Sequence, residues 1–460
     1  MFTHSEAQTF YLLAALVPEA LMENMLAPLV PYMVRMLSTD VPADRIEAEI
    51  GGRVGMMTAV FYFPLLLMNI VWGSLSDRIG RKPVLLMGLF FCGLTTLILG
   101  INTTSFAVAI MCRFLAGVFG GNSAVAKGAL GEINQTEKGR SWAYAVYSQL
   151  YAVFGIIGPL LGGFLVSASR SSGASDYPYL AACGVGAALS VVSLAVSYFL
   201  FEEPARNLER KPATKKDDKP SLADASDVTD SEDTMKVEDD DRAIPAEIPF
   251  TLFSWAVCLP ILLYVLIAFA NMYWVTVLPL LFSSKLEAGG LGFTPLDTSF
   301  AISVRAISKL FFSTFVSRGV VARLGSKHAY NLGMAAIIPA SYILGILHST
   351  TGNELWIGVS VSMALLGFVE SVVYLSVMMM ISASVPPAYL GVAFGFSSTC
   401  AAAMRTIAPP LSGYGWELAS SGAYGPWSAF ALLHIVAVLS IGAAVLGFLE
   451  PPAPVKAKME

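Results

Sequence analysis

The sequence predicts an all-α membrane protein: about twelve transmembrane helices arranged as two six-helix bundles. Three observations predict it. Charged residues make up 13% of the chain against 55% hydrophobic ones, where a soluble domain carries about a quarter charged, and the mean hydropathy is +0.66. The apolar residues are also continuous. Segments 85–100, 180–201 and 429–449 run with few or no charges, each close to the roughly 20 residues a helix needs to cross about 30 Å of hydrocarbon. Runs this unbroken are helical, unlike the alternating segments of a barrel. Finally, one charged stretch at 202–250 separates a first set of six such segments from a second.

Taken in order, the first six spans lie near 10–33, 54–76, 84–101, 105–127, 142–168 and 179–201. The first carries two acids and the fourth an arginine, and the fifth is glycine-rich. The 202–250 stretch is charged, Ser/Asp-rich and nearly free of aromatics, so it reads as a disordered linker between bundles at 1–201 and 251–460. The second six spans lie near 253–282, 298–318, 328–347, 355–382, 388–415 and 427–449. Short-loop basic residues set the orientation. Arg78, Arg81 and Lys82, then Lys138 and Arg140, then Arg318, Arg323 and Lys327 all follow even-numbered spans, which puts both termini and the linker on the cytoplasmic side. On that topology Asn102-Thr-Thr is an exterior glycosylation sequon, whereas Asn134-Gln-Thr faces the cytoplasm. The first apolar run contains Glu19 and Glu23 and lacks the flanks of a cleavable signal peptide. The five cysteines lie in or beside apolar runs without ligand spacing, so neither a disulfide framework nor a metal site is expected.

The halves also repeat. Asp77-Arg-Ile-Gly-Arg-Lys82 follows the second span and Ala322-Arg-Leu-Gly-Ser-Lys327 follows the eighth, as internal symmetry in transporters requires. The longer string Gly73-Ser-Leu-Ser-Asp-Arg-Ile-Gly-Arg-Lys-Pro-Val-Leu85 resembles the loop signature of the major facilitator superfamily. In it Gly73 would admit a neighbouring helix, Asp77 would face a helix N-terminus, Gly80 would make the turn, and Arg78, Arg81 and Lys82 would form gate ion pairs. Span four carries Arg113-Phe-Leu-Ala-Gly117, similar to the family's Arg-x-x-x-Gly signature. Span five carries Gly155-Ile-Ile-Gly158-Pro159-Leu-Leu-Gly162-Gly163, similar to the signature of its exporting, proton-coupled branch. Gly131 to Arg140 and Arg405-Thr-Ile-Ala-Pro-Pro410 look most like eukaryotic, especially fungal, members. The chain thus resembles the twelve-span drug:proton antiporters. That resemblance implies two bundles around a central cavity, a small organic substrate, protons and membrane lipid as partners, and a monomer. It implies neither nucleic acid nor any cofactor. Ala322, which stands where the first half has Asp77, makes the second gate loop degenerate.

In such families an embedded acid carries the proton. Glu19 and Glu23 share one helix face one turn apart. Glu23 should lie about 15 Å below an exterior end at Met33, and Arg113 about 12 Å below Ser105, at 1.5 Å per residue. The two are therefore level, and Glu23 is expected to exchange a proton as its ion pair with Arg113 breaks and re-forms, with a permanent structural pair as the alternative. Further embedded charges are Arg305 and Lys309 in span eight, Glu370 in span ten and Arg405 in span eleven. They form either a cationic surplus suited to an anionic or zwitterionic substrate, or an outward-snorkelling Arg305 beside a Lys309–Glu370 pair. Six of the seven tryptophans, among them Trp72 and Trp416, fall near span ends as an interfacial belt. Trp274 instead sits within span seven beside Asn271 and Tyr273, which makes these three a candidate substrate surface. The expected function is proton-driven export of a small organic compound by alternating access, at the plasma or vacuolar membrane. Uptake of an organic anion or nutrient and a non-transporting sensor are the alternatives. The sequence contains no nucleophile–base pair or phosphate loop, so an enzyme is not expected.

Overall fold

The computed structural model describes residues 3–42, 45–171, 176–204, 254–386, 389–421 and 425–447. The expected linker and second bundle boundary fall almost wholly outside the described residues. Half one comprises α1 (His4–Leu26), α2 (Val30–Leu37), α3 (Ile46–Ile79), α4 (Arg81–Ile101), α5 (Phe106–Phe119), α6 (Asn122–Ile133), α7 (Glu137–Ser171) and α8 (Leu180–Phe199). Half two comprises α9 (Trp255–Ser283), α10 (Pro295–Phe315), α11 (Ser317–Ile346), α12 (Gly352–Ser384), α13 (Leu390–Ser420) and α14 (Ala431–Gly447).

Each of the twelve expected spans meets a helix or helix pair, with two qualifications. Among the described residues nine helices are long and apolar enough to cross a bilayer, and a tenth is the α1–α2 pair, bent by 70°. The first span is therefore not straight. Pro28 and Pro31 flank the bend; each lacks an N–H and crowds the carbonyl four residues back. The helices that fall short of that apolarity are α10 and α13, which carry Ser, Thr, Arg and Lys residues along their length. The fourth span also breaks, at Gly120–Gly121 between α5 and α6. There the Trp72 indole donates to the Val118 carbonyl, so Trp72 is buried and not interfacial. Trp416 is likewise fully buried, whereas Trp255 and Trp427 are exposed as the belt requires.

The internal repeat is visible in the backbone. Gly80, between α3 and α4, has φ 110° and ψ 157°, and Gly325, inside α11, has φ 77° and ψ 156°. Only glycine adopts such angles without strain. Gly325 therefore ends one helical segment and starts another, as Gly80 does.

The two halves meet along α3–α13 and α7–α10, with α9 against α2 and α3. Near the start of α3, Gly51 lies against the Gly413 backbone and Gly55 against Pro409 and Pro410, so closely that a Cβ would overlap them. Gly163 of α7 abuts Ser299 and the Pro295 carbonyl of α10 in the same way. Small residues let membrane helices approach to backbone contact. All these contacts lie toward the end opposite Gly80. The hydrophobic core follows the same division. One continuous cluster joins residues such as Met33, Val54, Trp274 and Trp416 from both halves. A separate cluster of Leu12, Trp72, Leu85, Val125 and Phe201 belongs to half one alone. The bundle is thus sealed at one end and parted at the Gly80 end.

Candidate functional site

The sealed end is locked by a polar latch that sequence reasoning missed. The Arg35 guanidinium of α2 holds Glu47 through Nε and Nη2, at 2.9 and 3.0 Å. It also reaches across to half two, donating to Ser283 Oγ at 2.9 Å and Ser284 Oγ at 2.8 Å. The Tyr32 hydroxyl donates to the Phe293 carbonyl and shares a hydrogen bond with Thr298. The Glu417 carboxylate of α13 accepts from the Gly52 N–H of α3 at 2.7 Å. Both Arg35 and Glu47 side chains are more than four-fifths buried, so this ion pair is shielded from solvent.

Beneath the latch lies a small cavity of about 40 Å³, lined by Glu23, Thr58, Phe61, Tyr62 and Arg113 of half one and by Met272, Val275, Thr276 and Pro279 of half two. Glu23 and Arg113 share it, as their levels predict. Among the described residues, however, they do not close to ion-pair distance. Glu23 accepts the Tyr62 hydroxyl at 3.0 Å, while Arg113 stacks its guanidinium 4.4 Å from the Phe61 ring centroid and donates weakly to the Met57 carbonyl. Two consecutive aromatics of α3 therefore hold the two charges. Glu19, one turn along α1, accepts the Tyr151 hydroxyl at 3.4 Å, and its other carboxylate oxygen is buried without a hydrogen-bond partner. Beyond it Ser123 and Tyr147 share a hydrogen bond, and Lys127 stands over the Tyr147 ring. Lys127 lies in the predicted fourth span and was findable as an embedded charge; Tyr62 and Tyr151 carry no such signal.

The span-five glycines fit α7 against its neighbours. Gly158 and Gly162 abut α1 at Asn24 and Met25, Gly155 faces the Asn24 amide, and Gly163 crosses to half two; Pro159 lies between them inside α7. The gate-loop residues lie at the parted end. Arg81 is ion-paired with Asp77 and Glu132, both at 2.6 Å, and Lys82 Nζ donates to the Phe201 carbonyl. The N-terminus of α4 is capped by Glu203, which accepts from the Arg81 and Lys82 N–H groups. One expectation changes here. Gly73 has open space where its Cβ would stand, with nothing within 4 Å, so no neighbouring helix presses on it. Arg78 is exposed. The ion pairs lie within half one and are intact with this end parted.

Half two requires further corrections. Arg305 does not snorkel: Arg305 and Lys309 both pair with Glu370, Lys309 at 2.9 Å. Trp274 donates its indole N–H to the same carboxylate at 3.3 Å. The charges thus form one three-member cluster around a buried acid, with a surplus of one cation. Trp274 and Tyr273 are fully buried, and the Tyr273 hydroxyl donates to the Ala429 carbonyl at 2.8 Å. They are core residues, not a substrate surface, because α9 is enclosed by α12, α13 and α14. Asn271 is half-buried and shares a helix face with Tyr264 and Val275. Arg405 is exposed, within electrostatic reach of Tyr62 and Glu23 across the interface and of Tyr374 and Tyr264 in its own half.

Two bundles, a repeated loop and charges gathered between the halves describe a transporter. The family model of the Major Facilitator Superfamily matches residues 12–409. The chain belongs to that superfamily. As a major facilitator it is 22% identical over 437 residues to Protein ZINC INDUCED FACILITATOR 1 of Arabidopsis thaliana, covering 92% of this chain and 88% of that one. It is 26% identical to Efflux pump azaK of Aspergillus niger, covering 89% of this chain and 83% of that pump. Its fold matches the crystal structure of the human organic anion transporter MFSD10 (TETRAN) with TM-score 0.61 at 16% identity, covering 96% and 100% of the two chains. The nucleoside transporter NupG matches with TM-score 0.66 at 13% identity, over 97% and 98%.

Proposed function

We propose that this major facilitator exports a small organic compound by alternating access, coupled to proton entry, with Glu23 and Glu19 as the proton-carrying groups. The observation that carries this reading is their company. Glu19 and Glu23 sit on one face of α1 and are held by the phenols of Tyr151 and Tyr62, with Arg113 in the shared cavity but out of contact. A carboxylate held by hydroxyls can take a proton without first breaking an ion pair, whereas Glu370, clamped by Arg305 and Lys309, cannot. The span-five glycines and the similarity to an efflux pump support export. The basic loops support cytoplasmic termini and make the parted end the cytoplasmic one, so this conformation faces inward. Bundles at 1–201 and 251–460 joined by a linker at 202–250, a monomeric state, and a plasma or vacuolar membrane complete the proposal. Uptake of an organic anion in the same fold is the second reading, favoured by the surplus cation beside Glu370.

Purified protein in proteoliposomes under an imposed pH gradient tests it, with labelled organic cations and anions and Glu23→Gln beside wild type. Flux that requires the gradient and is lost in the variant is the expected outcome. Gradient-independent flux in both would make the protein a facilitator and reduce Glu23 to a structural group.

A further inference from the structure

Resting on the transport reading, we infer that Arg405 is the cargo-binding cation and that the cargo is a small organic anion. Its position comes from the register of α3 against α13. Gly51 meets Gly413 and Gly55 meets Pro409, so the helices run antiparallel and each turn along α3 moves one turn back along α13. Arg405 is the next turn after Pro409, toward the Gly80 end of α3. It therefore stands between the halves about one turn from the Gly55–Pro409 contact, on the side of the parted end, and its exposed guanidinium is open to a solute entering from there.

Its lack of partners is the second observation. Arg35 has Glu47, Arg53 has Asp40, Arg305 has Glu370, and Arg113 has the Phe61 ring. Arg405 is exposed, and among the described residues no hydrogen bond or ion pair occupies its guanidinium. A cation within the membrane is costly and faces water or a ligand when its own protein does not satisfy it. Five N–H donors in a planar fork are left for a carboxylate, which guanidinium binds through two parallel hydrogen bonds.

The surroundings supply the organic part of the recognition. Tyr62 lies across the interface and Tyr264 and Tyr374 lie on the same side, the last two in an edge-to-face pair with ring centroids 5.8 Å apart. Phenol faces suit a flat apolar body, and their hydroxyls suit its polar edge. Asn271, on the Tyr264 face of α9, adds an amide. A cationic solute would meet Arg405 first and be repelled, Glu23 being already held by Tyr62.

The test is binding before transport. Wild type, Arg405→Gln and Arg405→Lys are purified in detergent and titrated with benzoate, phthalate and 2-naphthoate, and separately with tetraethylammonium, by calorimetry. We expect the carboxylates to bind wild type and to bind Arg405→Gln about ten- to a hundredfold more weakly, the range for a hydrogen-bonded charged contact. Arg405→Lys should recover part of the loss, because it keeps the charge without the fork. Equal carboxylate affinity in folded Arg405→Gln would overturn the inference, as would wild type that binds tetraethylammonium and no carboxylate. Counterflow separates this inference from the export reading. Proton-driven flux of tetraethylammonium alone would leave export standing and sink the anion site. Carboxylate exchange that needs Arg405 but ignores the pH gradient would do the reverse.

Discussion

The residues that most constrain the second half are Glu370, Arg305, Lys309 and Trp274. An acid with 1% of its side chain exposed is tolerable only because three donors converge on it, and the cluster ties α9, α10 and α12 together. Glu370→Gln leaves Arg305 enclosed without its counter-charge, a change of the kind that costs about 3–5 kcal/mol, so its melting temperature in detergent should fall markedly. Lys309→Met should cost much less, since its side chain is 52% exposed and Arg305 remains on the acid. The rescue pair is accordingly Arg305 with Glu370. The double variant Arg305→Met/Glu370→Gln should recover expression that neutralising Lys309 with Glu370 does not. The charges themselves were legible, because any charge in an apolar run stands out. Their partners were not: the indole that joins the cluster reads in sequence like any mid-span tryptophan, and only the packing of α9 against α12 turns it toward Glu370.

At the scale of the helix, two kinds of glycine do different work. Gly80 and Gly325 hold positive φ and start new helices. Replacing either by alanine forces an L side chain into a positive-φ extended region that essentially only glycine occupies, at a cost of about 1–3 kcal/mol, so each variant should lower thermal stability by a similar amount. Gly80→Ala should do more harm, because its Cβ would stand 3.0 Å from the Glu203 carboxylate that caps α4. Gly51, Gly55 and Gly413 are instead sites of backbone contact between halves. Gly55→Val should keep the sealed end from closing. Thr58→Cys, placed in the cavity beneath it, should then label faster with a membrane-impermeant maleimide applied at that end; an unchanged rate would show that the seal lies elsewhere. The repeated loop showed Gly80 and Gly325 in advance, since the motif fixes their spacing. Gly51 and Gly55 carry no motif, and their importance depends on which helix lies opposite.

For the whole molecule, the decisive feature is that contacts between halves gather at one end. The Arg35–Glu47 pair and its hydrogen bonds to Ser283 and Ser284 must break for that end to open. Arg35→Ala should therefore shift the population toward the opposite opening. Spin labels across the two ends should report a longer distance at the Arg35 end and a shorter one at the Gly80 end, and unchanged distances would remove the latch from the gate. Within half one, the Arg81 cluster with Asp77 and Glu132 already persists with its end parted. The contacts that this conformation makes between bundles, and that a change of opening must break, are those at the Arg35 end.

What the sequence determined by itself was everything set by local chemistry against a fixed solvent. The lipid demands long apolar helices, so their order and approximate places could be read from hydropathy, and embedded charges from their cost. The repeat supplied the division into halves, and the short motifs supplied the superfamily. The tertiary structure alone decided which side chains meet. The prolines at 28 and 31 turned one straight span into a bent pair. Packing put Trp274 in the core, and the antiparallel register of α3 and α13 set Arg405 one turn beyond the Gly55–Pro409 contact. Such pairings join residues from about a hundred to several hundred positions apart, and nothing in the neighbouring sequence records them, because the free energy that selects them belongs to the assembled packing of helices.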